Sequence, residues 1–266
     1  MPHDFKKVAV DTCLKAGELL KKSLGKVNKI KFKGEINLVT EVDHKSEDMI
    51  VSQLTLVYPT HSVLSEEREK IERGSPYKWI VDPLDGTTNF AHGLPIFCVT
   101  VALEYEGEVI LGVIYNPNLD ELFVAEKKKG AFLNNKNISV SATEKLQTSL
   151  LATGFPYDIR TSKNNNLNHF ANFAVRAQAV RRAGSAALDL AYTACGRFDG
   201  FWEFKLAPWD CAAGVLLIQE AGGKVTDYKG NPVDIYKGEV LGSNGKIHQE
   251  MIEVLNLAMV NNSHSQ

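Results

Sequence analysis

Apolar positions recur along the 266-residue chain in more than one rhythm. Over residues 4–24, Phe5, Val8, Ala9, Leu14 and Leu19 approximate one face of a helical repeat and Gly25 supplies a stop, so the spacing predicts a helix. Residues 29–39 are mixed and predict a hairpin or loop around Gly34. A second helix is predicted from about 41 to 57, with Thr40 as its cap and Pro59 past its end. "HSVLSEE" and "KWIVDP" then read as short strands that end in acids. Between 96 and 140 the β-rich runs "IFCVTVALEY", "EVILGVIYNP" and "ELFVAEK" are divided by Glu106-Gly107 and Asn116-Pro117-Asn118, which predicts an antiparallel meander.

Past about residue 145 strands alternate with helices. The strands are "SLLATGF", "AQAVRR", "FDGFWEF", "GKVTD" and "EVLGSN". The helices are 164–176, 185–195, 209–221 and 246–259. The change of rhythm separates an α+β half, residues 1–145, from an α/β half, residues 146–260, and leaves a tail, 261–266, expected to be disordered.

Composition narrows the function more by exclusion than by suggestion. Hydrophobic content of 44%, charged content of 23% and a net charge of −2 describe an ordinary globule, not a surface that coats nucleic acid. Cys13, Cys98, Cys195 and Cys211 lie scattered in apolar settings with no C-x-x-C pair, which predicts free thiols in a reducing compartment. The N-terminus is charged throughout and no run approaches the roughly 20 apolar residues of a membrane span, so a cytoplasmic location is expected. No G-x-G dinucleotide fingerprint, Walker loop or serine elbow occurs, and the histidines show no zinc spacing.

What remains is carboxylates at element ends. "WIVDPLDGTTNF", residues 79–90, ends an apolar run in Asp82, passes Pro83 and meets Asp85 before Gly86 and two threonines. A proline-assisted turn accounts for it locally. Glu66 and Glu67 end the strand upstream, and solvated charge explains them equally well. Asp43 lies three residues after Thr40, a capping-box spacing. Asp210, in "APWDCAAG", suits the first turn of a helix through the helix dipole. Together these acids suggest a packed cluster that needs protons or hard divalent cations, and Mg²⁺ suits oxygen-only ligands beside a phosphate. Pro83 would aim Asp82, Asp85 and the Leu84 carbonyl at one place, and Gly86-Thr87-Thr88 would offer N–H groups to an anion. That combination describes metal-assisted phosphoryl hydrolysis.

"DPLDGTTNF", "NLVTEVD", "HSVLSEE" and "PWDCAAGVLLIQEAGG" together resemble the inositol monophosphatase family, most closely its bacterial members, over nearly the whole chain. The resemblance implies a layered αβαβα sandwich with a large, mostly antiparallel N-terminal sheet and a smaller C-terminal α/β half. It also implies a Mg²⁺-dependent, lithium-sensitive phosphatase of inositol and related polyol or sugar monophosphates, acting by direct attack of a metal-activated water, and usually a homodimer. Glu66, Asp82 and the Leu84 carbonyl would hold one Mg²⁺. Asp82, Asp85 and Asp210 would hold a second, and a looser third ion would sit near Glu66 and Glu67. Thr87, oriented by Asp43, would help activate the water, with Glu66 beside it. The amides of Gly86 and Thr87 would bind phosphate. Ala186, Asp85, Glu203 and Asp210 would line the polyol side, and Lys33 matches a lysine of an active-site loop. One departure is Ser65, where the family carries glycine before its glutamates; a positive φ there would shift the loop.

Relatives act on adenosine bisphosphate, fructose bisphosphate or histidinol phosphate, and Thr88-Asn89 favours the inositol branch. Some bacterial members act as transcription antitermination partners. In that reading Arg176, Arg181, Arg182 and Arg197 would form a basic surface for RNA or protein.

Overall fold

The computed structural model describes residues 4–26, 30–32 and 38–258. Lys33 and the tail 261–266 lie outside the described residues.

Two helices open the chain. The first, α1 (Phe5–Ser23), is capped by Asp4, whose carboxylate accepts from the Lys7 N–H. The short strands β1 (Ile30–Phe32) and β2 (Leu38–Thr40) pair antiparallel, as the mixed segment predicts. Thr40 then caps α2 (Glu41–Val57) through a complete capping box with Asp43.

Seven strands follow in a single sheet and in chain order: β3 (Ser62–Ser65), β4 (Tyr77–Asp85), β5 (Cys98–Tyr105), β6 (Glu108–Asn116), β7 (Glu121–Glu126), β8 (Gly130–Leu133) and β9 (Lys136–Asn137). Only β3 and β4 are parallel; every later pair is antiparallel. The central strands read as continuous apolar runs because both faces are covered. Trp79, Val81, Val99 and Val101 pack with α1 and α2 on one face, while Ile80, Cys98, Ala102 and Ile114 belong to the core on the other.

The second half builds a five-stranded mixed sheet in the order β11-β10-β12-β14-β13, from β10 (Leu150–Thr153), β11 (Ala179–Arg181), β12 (Gly200–Phe204), β13 (Lys224–Thr226) and β14 (Glu239–Ser243). Between the two sheets lie α5 (Ala186–Ala194) and α6 (Pro208–Glu220). Every residue from Cys211 to Ile218 in α6 is buried, as a helix sandwiched on all sides requires. Its backbone comes so close to β6 that a Cβ on Gly112 would stand 2.8 Å from the Ala213 Cα. On the far face of the smaller sheet, α4 (Leu167–Ala174) and α7 (His248–Leu255) bury Phe173, Ile247 and Met251 against Trp202 and Leu241. The layers are therefore αβαβα, as expected. A single apolar cluster holds Ile80 and Phe123 from the first half together with Leu188, Phe201 and Leu216 from the second, so the two halves share a core. The last helix stops at Leu255, earlier than its apolar spacing predicts, where Asn256 caps it. All four cysteines are free thiols.

Candidate active site

The acids at residues 82 and 85 stand three positions apart, and in a regular strand side chains at that spacing point to opposite faces. The strand is not regular. Asp82 pairs with Thr100 and Asp85 with Cys98, so three steps along β4 oppose two along β5. The extra residue is a β-bulge at Pro83-Leu84, where proline has no N–H to give the ladder. Thr100 and Cys98 are two apart and share a face, so their partners Asp82 and Asp85 share it as well. Leu84 turns to the opposite core. The strand thus runs through the proline to Asp85, where a local reading places a turn. The Asp82 carboxylate accepts from the Leu84 N–H at 2.9 Å, and the Ser46 hydroxyl donates to the Pro83 carbonyl at 2.8 Å from below.

Other elements bring the remaining acids to that face. Pro208 opens α6 and places Asp210 in its first turn, where the carboxylate accepts from the Ala207 N–H at 2.7 Å. The Thr100 hydroxyl donates to the Trp209 carbonyl at 3.0 Å and so ties this helix start to β5. Asp85 meets the N-terminus of α5, accepting from the Ser185 hydroxyl at 2.5 Å and the Ala187 N–H at 2.9 Å. Glu66 and Glu67 follow the end of β3, which Glu47 of α2 holds: one Glu47 oxygen accepts from the Ser65 hydroxyl at 2.5 Å and the Glu67 N–H at 3.0 Å, and the other pairs with Arg68 at 3.1 Å. Ser65 is not among the residues with positive φ. The serine therefore needs no shifted loop, and its hydroxyl adds an anchor that a glycine could not.

Electrostatics show that these acids act on one another. Burial raises the Asp82 carboxyl well above its ordinary range, and the charges of Glu66, Asp85 and Asp210 push it further. Asp82 is only 1% exposed. Burial also raises Asp210, with Asp85 and Glu66 adding to it. Asp85 is raised by burial, against the lowering effect of its bonds to Ser185 and Ala187. Among the described residues, no three His, Cys, Asp or Glu side chains are already drawn together as a metal-binding set. Asp82, Asp85 and Asp210 are each held by N–H or O–H groups of the protein, as repelling charges require.

Two readings of Asp43 prove compatible. One carboxylate oxygen completes the capping box, accepting from the Thr40 N–H at 2.9 Å and from the Thr40 hydroxyl. The other oxygen lies 3.0 Å from the Thr87 hydroxyl, which can donate to it or to the Leu84 carbonyl, also at 3.0 Å. Burial raises the Asp43 carboxyl, against these hydrogen bonds.

Thr87 opens the short helix α3 (Thr87–Ala91) after Gly86, whose φ is 92°. No side-chain cap closes the first-turn N–H groups of that helix. A Cβ on Gly86 would stand 2.8 Å from the Ile96 carbonyl. Gly86→Ala is therefore expected to cost at least about 2 kcal/mol, lowering the melting temperature by about 4 °C or more. A variant that melts with wild type would contradict this close approach.

Asp85, Gly86, Thr87, Ala186, Glu203 and Asp210 all line one cavity of about 330 Å³. Asp43, Asp82 and Leu84 are buried and, like Glu66, are not among the residues that line it. Glu203 is raised to about 8 by burial and by the Asp85 charge, against Arg182. The cavity also takes in Tyr157 and three residues of the substrate-side motif "RRAGSAALDL", Arg182, Ser185 and Asp189, to which the sequence reading gives no contact of their own. Asp189 carries one signal in sequence, a lone acid in the otherwise apolar helix "AALDLAYTA". It is fully buried with one oxygen unpartnered, and burial and the Glu203 charge raise its carboxyl well above the usual range.

A model of the inositol monophosphatase family matches residues 1–259. The chain belongs to the inositol monophosphatase family. It thereby stands among the phosphatases of this superfamily. An inositol-1-monophosphatase of Mesorhizobium japonicum is 43% identical over 251 residues, covering 93% of this chain and 94% of that protein. The Nus factor SuhB of Pseudomonas aeruginosa is 42% identical over 255 residues, again covering 93% and 94%. In three dimensions, the extragenic suppressor protein suhB of Bartonella henselae superposes with a TM-score of 0.90 at 41% identity, over 95% of this chain and 98% of that one.

Proposed function

We propose that this phosphatase is a Mg²⁺-dependent, lithium-sensitive hydrolase of inositol monophosphate and related polyol or sugar monophosphates. The observation that carries the reading is the bulge in β4, which turns Asp82 and Asp85 to one face beside Asp210, with Gly86 and Thr87 following directly at the start of α3. The donor set is oxygen-only, and its acids repel one another, which fits hard divalent cations. Glu66, Asp82 and the Leu84 carbonyl would hold one Mg²⁺, Asp82, Asp85 and Asp210 a second, and Glu66 with Glu67 a looser third. Bound there, such ions supply Lewis-acid stabilisation to phosphoryl transfer.

The chain's own groups do the rest. Gly86 and Thr87 present N–H groups to a phosphate, as helix starts do. Asp43 accepts a hydrogen bond from the Thr87 hydroxyl, which leaves the Thr87 oxygen free to accept one from the attacking water, and Glu66 would help activate that water. Ser185 and Ala187 fix Asp85 between the metal side and the alcohol side. The Ala186 amide, Asp85, Glu203 and Asp210 receive the hydroxyls of the polyol. Burial and the Asp85 charge raise the Glu203 carboxyl toward its protonated form, in which it can both donate to and accept from a hydroxyl.

The test is phosphate release from a panel of polyol, sugar and nucleotide monophosphates, with Mg²⁺ and with or without Li⁺. Activity is expected to vanish with chelator and return with Mg²⁺, while Ca²⁺ supports little turnover because its looser geometry misaligns the attack. Full activity in excess chelator would sink the mechanism, and preference for a nucleotide or fructose bisphosphate would move the enzyme to another branch.

A second reading, a partner of the transcription machinery, is favoured by the name of the Pseudomonas relative. The arginines lend it less. Arg197 is paired with Glu121 and lies over the Tyr192 ring, Arg176 donates to the Asn172 carbonyl, and Arg182 lines the cavity. A homodimer accords with either reading. Capture of the transcription machinery by a variant lacking Asp82 would support the partner role, since such binding need not use the metal ligands.

A further inference from the structure

The segment 154–166, between β10 and α4, lines the cavity with its first five residues, Gly154 to Asp158, and the mechanism above makes no use of them. Its ends are tied together by Asn166. That side chain donates to the Thr153 hydroxyl at 2.9 Å and the Gly154 carbonyl at 2.6 Å, and accepts from the Trp202 ring N–H at 2.8 Å. Its middle is held from the end of the neighbouring strand β12. Lys205 donates to both oxygens of Asp158, at 2.9 and 2.6 Å, and to the Ser162 hydroxyl at 3.0 Å. A solvated ion pair usually adds little stability. Lys205 moreover takes a left-handed backbone with φ 61°, which L side chains rarely adopt. The consequence of this clamp is geometric: it pins the segment beside the start of α6, where Asp210 sits.

Tyr157 is the residue so pinned. It is 56% exposed, lines the cavity and adjoins Asp158 directly. The cavity it lines is also lined by Asp85, Gly86, Thr87 and Asp210, and burial with the charges of Glu66 and Asp210 raises its phenol above the ordinary range. Gly86 and Thr87 are the residues proposed above to meet the phosphate. A phenol held there is a neutral hydrogen-bond donor, able to meet a phosphoryl oxygen without adding charge to a site crowded with acids.

We propose that Tyr157 is a further substrate-contacting residue, donating its hydroxyl proton to the phosphoryl group, and that the Asp158–Lys205 clamp is what positions it. The inference rests on the phosphatase reading above. Because the contact is to the phosphoryl group, its loss should be felt whichever alcohol the ester carries.

The experiment compares wild type, Tyr157→Phe, Lys205→Met and their double variant in Mg²⁺. Lys246→Met, which breaks a remote ion pair with Glu144, is the control. Each is assayed on an inositol monophosphate, on glycerol 2-phosphate and on an aryl phosphate, with inhibition by inorganic phosphate and melting temperature with and without phosphate. Tyr157→Phe is expected to lower kcat/KM about tenfold on all three esters, the scale of one hydrogen bond. Phosphate inhibition should weaken by a similar factor and the phosphate-free melting temperature should hold. Lys205→Met should do the same, the double variant should be no worse than either single, and the control should match wild type. Asp158→Asn substitutes for Lys205→Met should that variant not fold. A loss confined to the inositol ester, unchanged phosphate inhibition, or losses that multiply in the double variant would each overturn the proposal. Should wild type release phosphate from no ester, the phosphatase reading fails, and the phosphate-dependent rise in melting temperature, compared between wild type and Tyr157→Phe, still decides this one.

Discussion

Asp82→Asn is expected to reduce phosphatase activity by at least about 10³-fold, since Asp82 is the acid proposed to serve both ions and the stabilisation at stake is several kcal/mol. The same substitution should stabilise the metal-free fold at neutral pH. Burial and the charges of Glu66, Asp85 and Asp210 raise the Asp82 carboxyl well above its unfolded value of 3.8. A group raised on folding contributes its stability in the protonated form, below its unfolded pKa, and loses it as pH rises through the folded one. At neutral pH the metal-free wild type therefore carries the cost of this buried acid, and asparagine removes it while its amide oxygen still accepts from the Leu84 N–H. The advantage of Asp82→Asn should shrink as pH falls toward the ordinary carboxyl range. Melting curves across pH in chelator, with turnover at saturating Mg²⁺, check both halves. Near-normal turnover would refute the ligand assignment, and a pH-independent stability difference would refute the electrostatic one.

The second large effect concerns Asp43 and Thr87. Asp43 uses one oxygen on Thr40 and the other on Thr87, so asparagine cannot serve both. Its amide nitrogen must face either the Thr40 N–H or the Thr87 hydroxyl. Turning the nitrogen toward Thr40 damages the cap, at about 1 kcal/mol. Turning it toward Thr87 forces that hydroxyl to donate elsewhere, and the Leu84 carbonyl is at hand. Asp43→Asn is expected to lower kcat about 10²-fold or more, the scale of proton-transfer assistance, with a smaller change in KM. Thr87→Ala should fall similarly, and the double variant should be little worse than either single, because residues acting on one water are not additive. A four-way kinetic cycle with parallel thermal melts decides it. Multiplying losses would show two separate roles, and an effect on melting alone would leave Asp43 only its capping role.

Much of this molecule follows from short-range pattern. The helices of the first half, the cap at Thr40, the antiparallel meander and the later alternation of strands and helices rest on local pattern, which a chain carries wherever it folds. Free thiols at all four cysteines follow in the same way, from spacing and setting. The motifs "DPLDGTTNF" and "PWDCAAG" single out Asp82, Asp85 and Asp210 as acids at element ends, and in the fold these acids are buried and raise one another's carboxyls.

What spacing could not decide is which way each acid faces. The bulge at Pro83-Leu84 depends on the register of β4 against β5, and without it Asp82 and Asp85 would lie on opposite faces of the sheet. The same holds for Asp43, whose two oxygens serve residues three and forty-four positions away, so that cap and site coincide only after α2 packs beside α3. Glu47 reaches Ser65 from another element, and no local signal marks it. Asp189 shows as an acid in an apolar helix, yet its burial beside Glu203 is a product of packing. Tyr157 lies in a segment with no periodicity at all, and the Lys205 clamp on its neighbour Asp158 forms only in the folded chain. Sequence by itself determined the elements and the chemistry available to them. Tertiary structure alone decided the side-chain directions, because those depend on strand register and on contacts between residues far apart in the chain.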